Sequence, residues 1–276
     1  MEKKSVIIIT NGYSSFISNL HTARIVEIIG VLDCAGDKKL ENYVHGKNIP
    51  YKTLIQQDKE LQKWIKEKNV SLIIVYKMPF LLKKEVYSIP KYGSINIHPS
   101  LLPQYRGPNP WFWIYFNMEK ESGVTIHRID EREDHGEVLA QTKFDIKLGV
   151  NLKELQSIVE IKSIFLLKEL LPKIETIKGK SQDSYFSSFK AYNVANYKLI
   201  IDINKIDVAN LWHLLRGFPW LIPILYSNFK HKGKYKIKSY VNNIFENENI
   251  GNVKEDESNI FLYCKNGIIE VQKYRK

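Results

Sequence analysis

Cysteine is what this chain has least of. It carries two, Cys34 and Cys264, far apart and in no C-x-x-C or other ligand spacing. That argues against a disulfide framework and a structural zinc site, and reads as two free thiols in a reducing cytoplasm. Long hydrophobic runs are missing too. The apolar stretch in MEKKSVIIITNG is too short for a signal-peptide core or a membrane span, so it reads as a first buried strand, with no membrane partner. No internal repeat or low-complexity tract is present. Acidic residues number 30 against 41 Lys and Arg, a formal net charge of +11. The excess points to anionic partners without choosing among nucleic acid, nucleotide and membrane surface, and a lysine-rich proteome would give the same charge. With 44% hydrophobic and 26% charged residues, the 276-residue chain is that of a globular protein with one large or two modest domains.

What is present is concentrated between Ser94 and Ala140. Ser94 to His98 reads as a short strand, and side chains alternate along a strand, so Asn96 and His98 share a face. Pro99, Pro103, Pro108 and Pro110, with Gly107, then impose an irregular loop beyond the strand's carboxyl end, where open α/β sheets bind ligands. Asp134 lies in a second polar loop between the strands VTIHRID and EVLAQTKF, and Gly136 allows that loop a close approach. An imidazole beside a carboxylate and an amide can take a proton from a nucleophile while hydrogen bonds meet a developing oxyanion. No Ser or Cys nucleophile is required.

Asn96-x-His98, the run HPSLLPxYRG, GVTIHRID and the D-x-G from Asp134 to Gly136 together resemble the 10-formyltetrahydrofolate-dependent formyltransferases. The resemblance implies formyl transfer from the folate, as consumed co-substrate, to an amine, with Asn96, His98 and Asp134 catalytic and no metal. It also implies that the pterin ring lies along KMPFLL, which makes Pro79, Phe80 and Leu82 folate-binding candidates together with Gly136. Ordinary loop-to-helix packing is the alternative for those three. His135 departs from the family pattern, standing where a small or hydroxylic residue is expected.

Three residues are candidates for the acceptor. Gly12, in the turn after the first strand, can present N–H groups to phosphate, although a single glycine is also an ordinary βα turn. Arg106 is an anion contact or a salt bridge within the fold. Trp111, in the aromatic run WFWIYFN, borders the acceptor pocket, while Phe112 and Phe116 are core and stack at i, i+4, as do Trp111 and Tyr115. His127 is taken as structural.

Strands SVIIIT, RIVEIIGVLD, IPYKTL and SLIIVY, with the amphipathic helix in QDKELQKWIKEKN, predict an α/β, doubly wound, mostly parallel, Rossmann-like sheet. A long helix follows from Asn151, its N-cap, to Leu171. Further on, a helix from Val208 to Arg216, N-capped by Asp207 and ended by Gly217, precedes short strands ILYSNF, KYKIKSYV, NIFLYC and GIIEVQKY, an OB-like β-barrel pattern. The expected domains are 1–180 catalytic, 181–196 linker and 197–276 OB-like. This tail resembles the C-terminal domain of methionyl-tRNA formyltransferases and of an aminosugar formyltransferase that modifies lipid A. Lys230, Lys232, Lys234, Lys236 and Lys238 around Gly233 read as a basic hairpin, serving edge protection or phosphate contact.

The expected acceptor is the amine of a nucleotide-linked aminosugar, for polysaccharide biosynthesis in the cytoplasm. The charge of +11 favours the alternative, a methionyl-tRNA formyltransferase with tRNA as partner; the short region after the first strand disfavours it. A non-catalytic binding module on the same scaffold is the third reading, and glycinamide ribonucleotide formylation has no use for residues beyond Leu171. Oligomeric state is open.

Overall fold

The first strand sets the architecture because its side chains are apolar on both faces. In the computed structural model, which describes residues 3–182, 195–242 and 249–274, strand β1 (Lys4–Thr10) has Val6, Ile7, Ile8 and Ile9 fully buried. Such a strand needs cover above and below, hence a central position in a parallel sheet. Around it lie β2 (Val26–Asp33), β3 (Tyr51–Thr53), β4 (Leu72–Tyr76), β5 (Ser94–His98), β6 (Glu121–Arg128) and β7 (Val138–Asp145), in the order β3-β2-β1-β4-β5-β6-β7. Pairing is parallel from β3 to β5 and antiparallel between β5 and β6. The expected doubly wound, mostly parallel sheet is therefore present.

The faces are closed by helices whose apolar stripes the sequence encodes. Leu61 and Ile65 of α3 (Lys59–Glu67) join Ile7, Ile9, Ile73 and Val75 in one cluster. On the opposite face Phe16 of α1 (Ser15–Ala23) packs against Tyr76, whose hydroxyl points at Glu160 of α6 (Leu152–Leu170). Asp58 caps α3 by accepting from Leu61 N–H, and Asn151 caps α6 by accepting from Glu154 N–H at 2.9 Å. One helix of the first unit was not expected. The polar stretch after β2 forms α2 (Lys38–His45), capped by Asp37, with only Leu40 and Val44 buried. Arg24, expected to begin the second strand, instead ends α1 in the left-handed conformation.

The chain divides into two compact units. One takes the chain up to Pro110, Glu121–Phe144 and the residues from Gln156; the other takes Trp111–Lys120, Asp145–Leu155 and the C-terminal part. Aromatic packing explains the exchange. In the second unit α5 (Pro110–Phe116) lies against α7 (Val208–Gly217): Phe112 stacks on Phe116 as expected, but Tyr115 stacks on His213 at 4.6 Å. Gly217 acts by size, since a Cβ there would come within 2.6 Å of the Tyr115 ring. Asp207 does not cap α7 with its side chain; Asn266 does, accepting from Val208 N–H at 2.8 Å.

ILYSNF is not a strand. Its start lies in α8 (Ile222–Leu225), begun by a proline in the first turn, where proline's missing N–H costs nothing. Strands β8 (Tyr235–Asn242), β9 (Val253–Glu255), β10 (Asn259–Cys264) and β11 (Gly267–Lys273) form an antiparallel sheet ordered β8-β11-β10-β9, consistent with a small barrel-like domain. The lysine-rich segment is thus no hairpin. Strand β8 pairs with β11 alone in that sheet, and Lys236 and Lys238 face outward on its edge. Of the expected linker, residues 183–194 lie outside the described residues. No helix among the described residues is long and apolar enough to cross a membrane.

His213 is 2% exposed, and its Nδ1 accepts from Gly149 N–H at 2.9 Å, which only the neutral ring can do. Burial pushes this imidazole down to about 4 from its ordinary 6.5. Between those values the unfolded chain holds a proton that the folded one lacks, so stability falls as pH drops through the window. Urea midpoints measured at pH 7 and pH 5 should show a loss for the parent, and a smaller loss for His213→Asn. Equal losses in both would refute the assignment.

Candidate active site

Strand register brings three loops to one edge. Thr10 pairs with Tyr76 and Tyr76 with Ile97, so β1, β4 and β5 end level. The chain leaves β1 toward β2 on one side and returns to β4 on the other, which makes this edge the switch point of the sheet.

Asn96 and His98 project from β5 between the buried Ile95 and Ile97. Antiparallel pairing with β6 places His127 directly across from Asn96. The Asn96 amide lies with Nδ2 3.1 Å from His127 Nε2 and donates to Asp134 Oδ1 at 3.0 Å. His127 Nδ1 is 2.7 Å from the Arg128 carbonyl, so that nitrogen carries the hydrogen and Nε2 accepts from Asn96. The other Asp134 oxygen accepts from Gly107 N–H at 2.9 Å and sits 3.3 Å from His98 Nδ1. His98 Nε2 is 2.8 Å from the Tyr105 carbonyl, which assigns its hydrogen to Nε2 and leaves the Nδ1 lone pair beside the carboxylate. Asp134 itself adopts φ 48, a left-handed conformation uncommon for a side-chain-bearing residue and concentrated at functional sites.

Electrostatics separate the two partners. Burial pushes the His98 imidazole below its ordinary value, with Asp134 pulling the other way. Burial also opposes ionisation of Asp134, but His98, His127 and the Gly107 N–H outweigh it and hold the carboxyl well below the usual carboxylate range. The resting state is a neutral imidazole beside an ionised carboxylate. Such a pair can accept one proton at Nδ1 and balance the charge it creates.

The remaining expected residues fall in different places. Gly136 does make a close approach, but to the backbone: a Cβ there would meet the Arg128 carbonyl oxygen at 1.9 Å. Among the described residues Arg106 is paired with an amide rather than an acid. It is 9% exposed and donates to Gln182 Oε1 through Nε at 3.0 Å and a terminal nitrogen at 2.8 Å. Gly12 N–H is taken by Asp33 Oδ1 at 2.8 Å and Tyr13 N–H by Asp37 at 2.8 Å, so this turn offers neither to phosphate. Asp33, fully buried, also accepts from Ala35 N–H, Asp37 N–H and the Tyr51 hydroxyl. Trp111 is half-buried in the first turn of α5 and belongs to the second unit. His135 is paired with Asp130 at 3.2 Å.

Along the loop from β4 to α4 (Lys84–Tyr87), Leu82 is 4% exposed and belongs to the core cluster, so packing accounts for it. Pro79 and Phe80 are exposed. Phe80 and Leu81 line, with Ile55 and Gln57, a recess of about 450 Å³. The recess has apolar walls and a size that suit a flat aromatic ring. Gln57 holds the rim, donating to the Leu81 carbonyl at 2.9 Å and accepting from Lys83 N–H at 2.6 Å. Sequence reasoning missed His127, Gln57 and Gln182. For His127 a signal existed: once β5 and β6 are paired antiparallel, one residue must face Asn96.

Gly136→Ala should be costly, because the loop must move off Arg128 or distort it. Overpacking of this kind costs about 1–3 kcal/mol, to be read as a lower urea midpoint at unchanged slope. A midpoint within error of the parent would show that the loop yields freely.

Comparison with known proteins agrees with this geometry. Residues 6–166 match the model of the formyl transferase family. The chain is 30% identical over 230 residues to a methionyl-tRNA formyltransferase of Clostridium beijerinckii, covering 79% of this chain and 71% of that one. Two solved structures share the fold over nearly the whole length. WlaRD, a sugar 3N-formyltransferase crystallised with dTDP and 5-N-formyl-THF, matches at TM-score 0.64 and 20% identity, covering 100% of this chain and 99% of its own. The N-formyltransferase from Helicobacter canadensis, in complex with folinic acid and dTDP-3-aminofucose, matches at TM-score 0.63 and 20% identity over 99% and 100%. With the family model spanning more than half of its residues, the chain belongs to the folate-dependent formyl transferase family.

Proposed function

We propose that this protein transfers the formyl group of 10-formyltetrahydrofolate to the primary amine of a nucleotide-linked aminosugar, with Asn96, His98 and Asp134 as the catalytic residues. The observation that carries the chemistry is the buried cluster in which His98 Nδ1 faces Asp134 Oδ2 at 3.3 Å while Asn96 bonds the other carboxylate oxygen. The folate supplies the formyl carbon and leaves as tetrahydrofolate.

In this reading the attacking amine is neutral and loses a proton as its nitrogen bonds the formyl carbon. The Nδ1 lone pair of His98 receives that proton, the Tyr105 carbonyl holds Nε2–H, Asp134 offsets the imidazolium charge, and the imidazolium returns a proton to N10 of the folate as the bond from N10 to the formyl carbon breaks. Asn96 exchanges one of its two internal N–H contacts for the formyl oxygen as charge develops there. Pro79 and Phe80 border the pterin. The unit that holds this cluster is the catalytic part, and the residues from 197 onward belong to the second unit.

The sugar acceptor is supported by the turn after β1, four residues long and tied inward by Asp33 and Asp37, which leaves little to reach into a tRNA arm. The end-to-end match with two sugar formyltransferases is in keeping with it. A tRNA acceptor is the second reading, favoured by the sequence relatives and by the net charge of +11. Release of tetrahydrofolate, measured with a panel of nucleotide-linked aminosugars and with charged initiator tRNA, decides between them. Turnover with tRNA alone would reverse the choice.

Asn96→Ala should lower kcat by about a hundredfold. His98→Ala and Asp134→Ala should do at least as much, and wild-type rates in all three would end the catalytic assignment. Because burial pushes the His98 imidazole below its ordinary value, its titration followed by NMR should lie on the acid side of that value. A midpoint above pH 7 would contradict that. Replacing the lysines at 230, 232, 234, 236 and 238 by Gln should leave turnover of a sugar nucleotide unchanged, while loss of acceptor affinity would make that segment part of the site.

A further inference from the structure

Residues 179–182 run back along the start of β7. Val138 and Lys180 exchange both backbone hydrogen bonds, at 2.9 and 2.8 Å, as an antiparallel bridge. Continuing that register by two residues sets Gln182 across from Gly136, and there the side chain makes the contact. Its Nε2 donates to the Gly136 carbonyl at 2.7 Å and the Asp134 carbonyl at 3.0 Å. On the other end of the same amide, Oε1 accepts both bonds from Arg106, the neighbour of Gly107. Gln182 is 8% exposed, so water does not compete for these bonds.

We infer that Gln182 is the positioning residue for Asp134. One planar amide locks the 134–136 backbone to the residue preceding Gly107, and Gly107 N–H in turn holds the Asp134 carboxylate. The distance from that carboxylate to His98 Nδ1 is thereby set from outside the cluster. Neither Gln182 nor Arg106 touches the reacting atoms. This inference rests on the catalytic reading given above, and it explains why a buried arginine near the site has an amide as its partner: a carboxylate would satisfy the guanidinium but could not donate to two carbonyls.

Two variants test it in the full-length protein. Gln182→Met keeps the length and removes every bond; Gln182→Glu keeps an acceptor for Arg106 and removes both donations. Displacing a catalytic group by a fraction of its working distance costs large factors in rate. Both variants should lower kcat by about ten- to a hundredfold, with KM for the folate changing by less than about twofold. A second readout needs no turnover. The imidazole resonance of His98, identified by its loss in His98→Gln, is titrated by NMR, and in Gln182→Met its pKa should move down as the Asp134 carboxylate withdraws, while the carboxylate added in Gln182→Glu opposes that fall.

Parent kcat together with an unmoved His98 titration, even at a lowered melting temperature, would reduce Gln182 to a structural strap. Should Gln182→Met not fold, the kcat of Gln182→Glu decides alone. If the parent forms no product with any amine the catalytic reading falls, while the His98 titration still decides the positioning.

Discussion

Burying an unpaired carboxylate costs several kcal/mol, and much of the first unit is arranged so that Asp134 does not incur that cost. Its oxygens accept from an amide on β5 and an N–H of the proline-rich loop, with imidazoles from β5 and β6 at 3.3 and 3.5 Å. These groups come from two strands and a loop, so the three segments are fixed relative to one another by the charge they share. The sheet supplies the coarse alignment, because level strand ends and the β5/β6 register bring the donors within reach. The carboxylate supplies the fine one. This is why an irregular loop with three prolines is held beside the strand: Gly107 N–H and the Tyr105 carbonyl are committed to the cluster.

The parts legible in the sequence are those in which a local pattern has one physical solution. Val6 to Ile9 admits only a strand covered on both faces, and Leu61 with Ile65 above a cap at Asp58 admits only a helix seated on the sheet. Asn96-x-His98 gave the shared face because alternation along a strand is strict. What stayed hidden depends on partners remote in sequence. His127 becomes part of the site through pairing register, Asn266 caps α7 from a later turn, and Gln182 reaches back 46 residues to Gly136. No window of the chain contains those pairs.

Two misreadings have local causes. α2 has a polar majority and only two buried side chains, too little apolar contrast to announce a helix, while its cap at Asp37 was the usable signal. ILYSNF has β-forming residues, yet Pro223 occupies the opening turn of a helix and the tertiary setting overrides propensity. The lysines that follow then lose the strand they were expected to pair with.

The turn after β1 has the form of a receptor for anions, with backbone N–H groups converging at the end of a parallel strand. In this protein the receptor arrives already filled. Asp33 receives the N–H groups of Gly12, Ala35 and Asp37 and the Tyr51 hydroxyl, and Asp37 receives that of Tyr13. An approaching phosphate meets two built-in negative charges and no vacant donor among those groups. The donors of this turn are spent inside the fold, and this corner of the sheet works as a buttress that ties the ends of β1 and β2, with β3, to the start of α2.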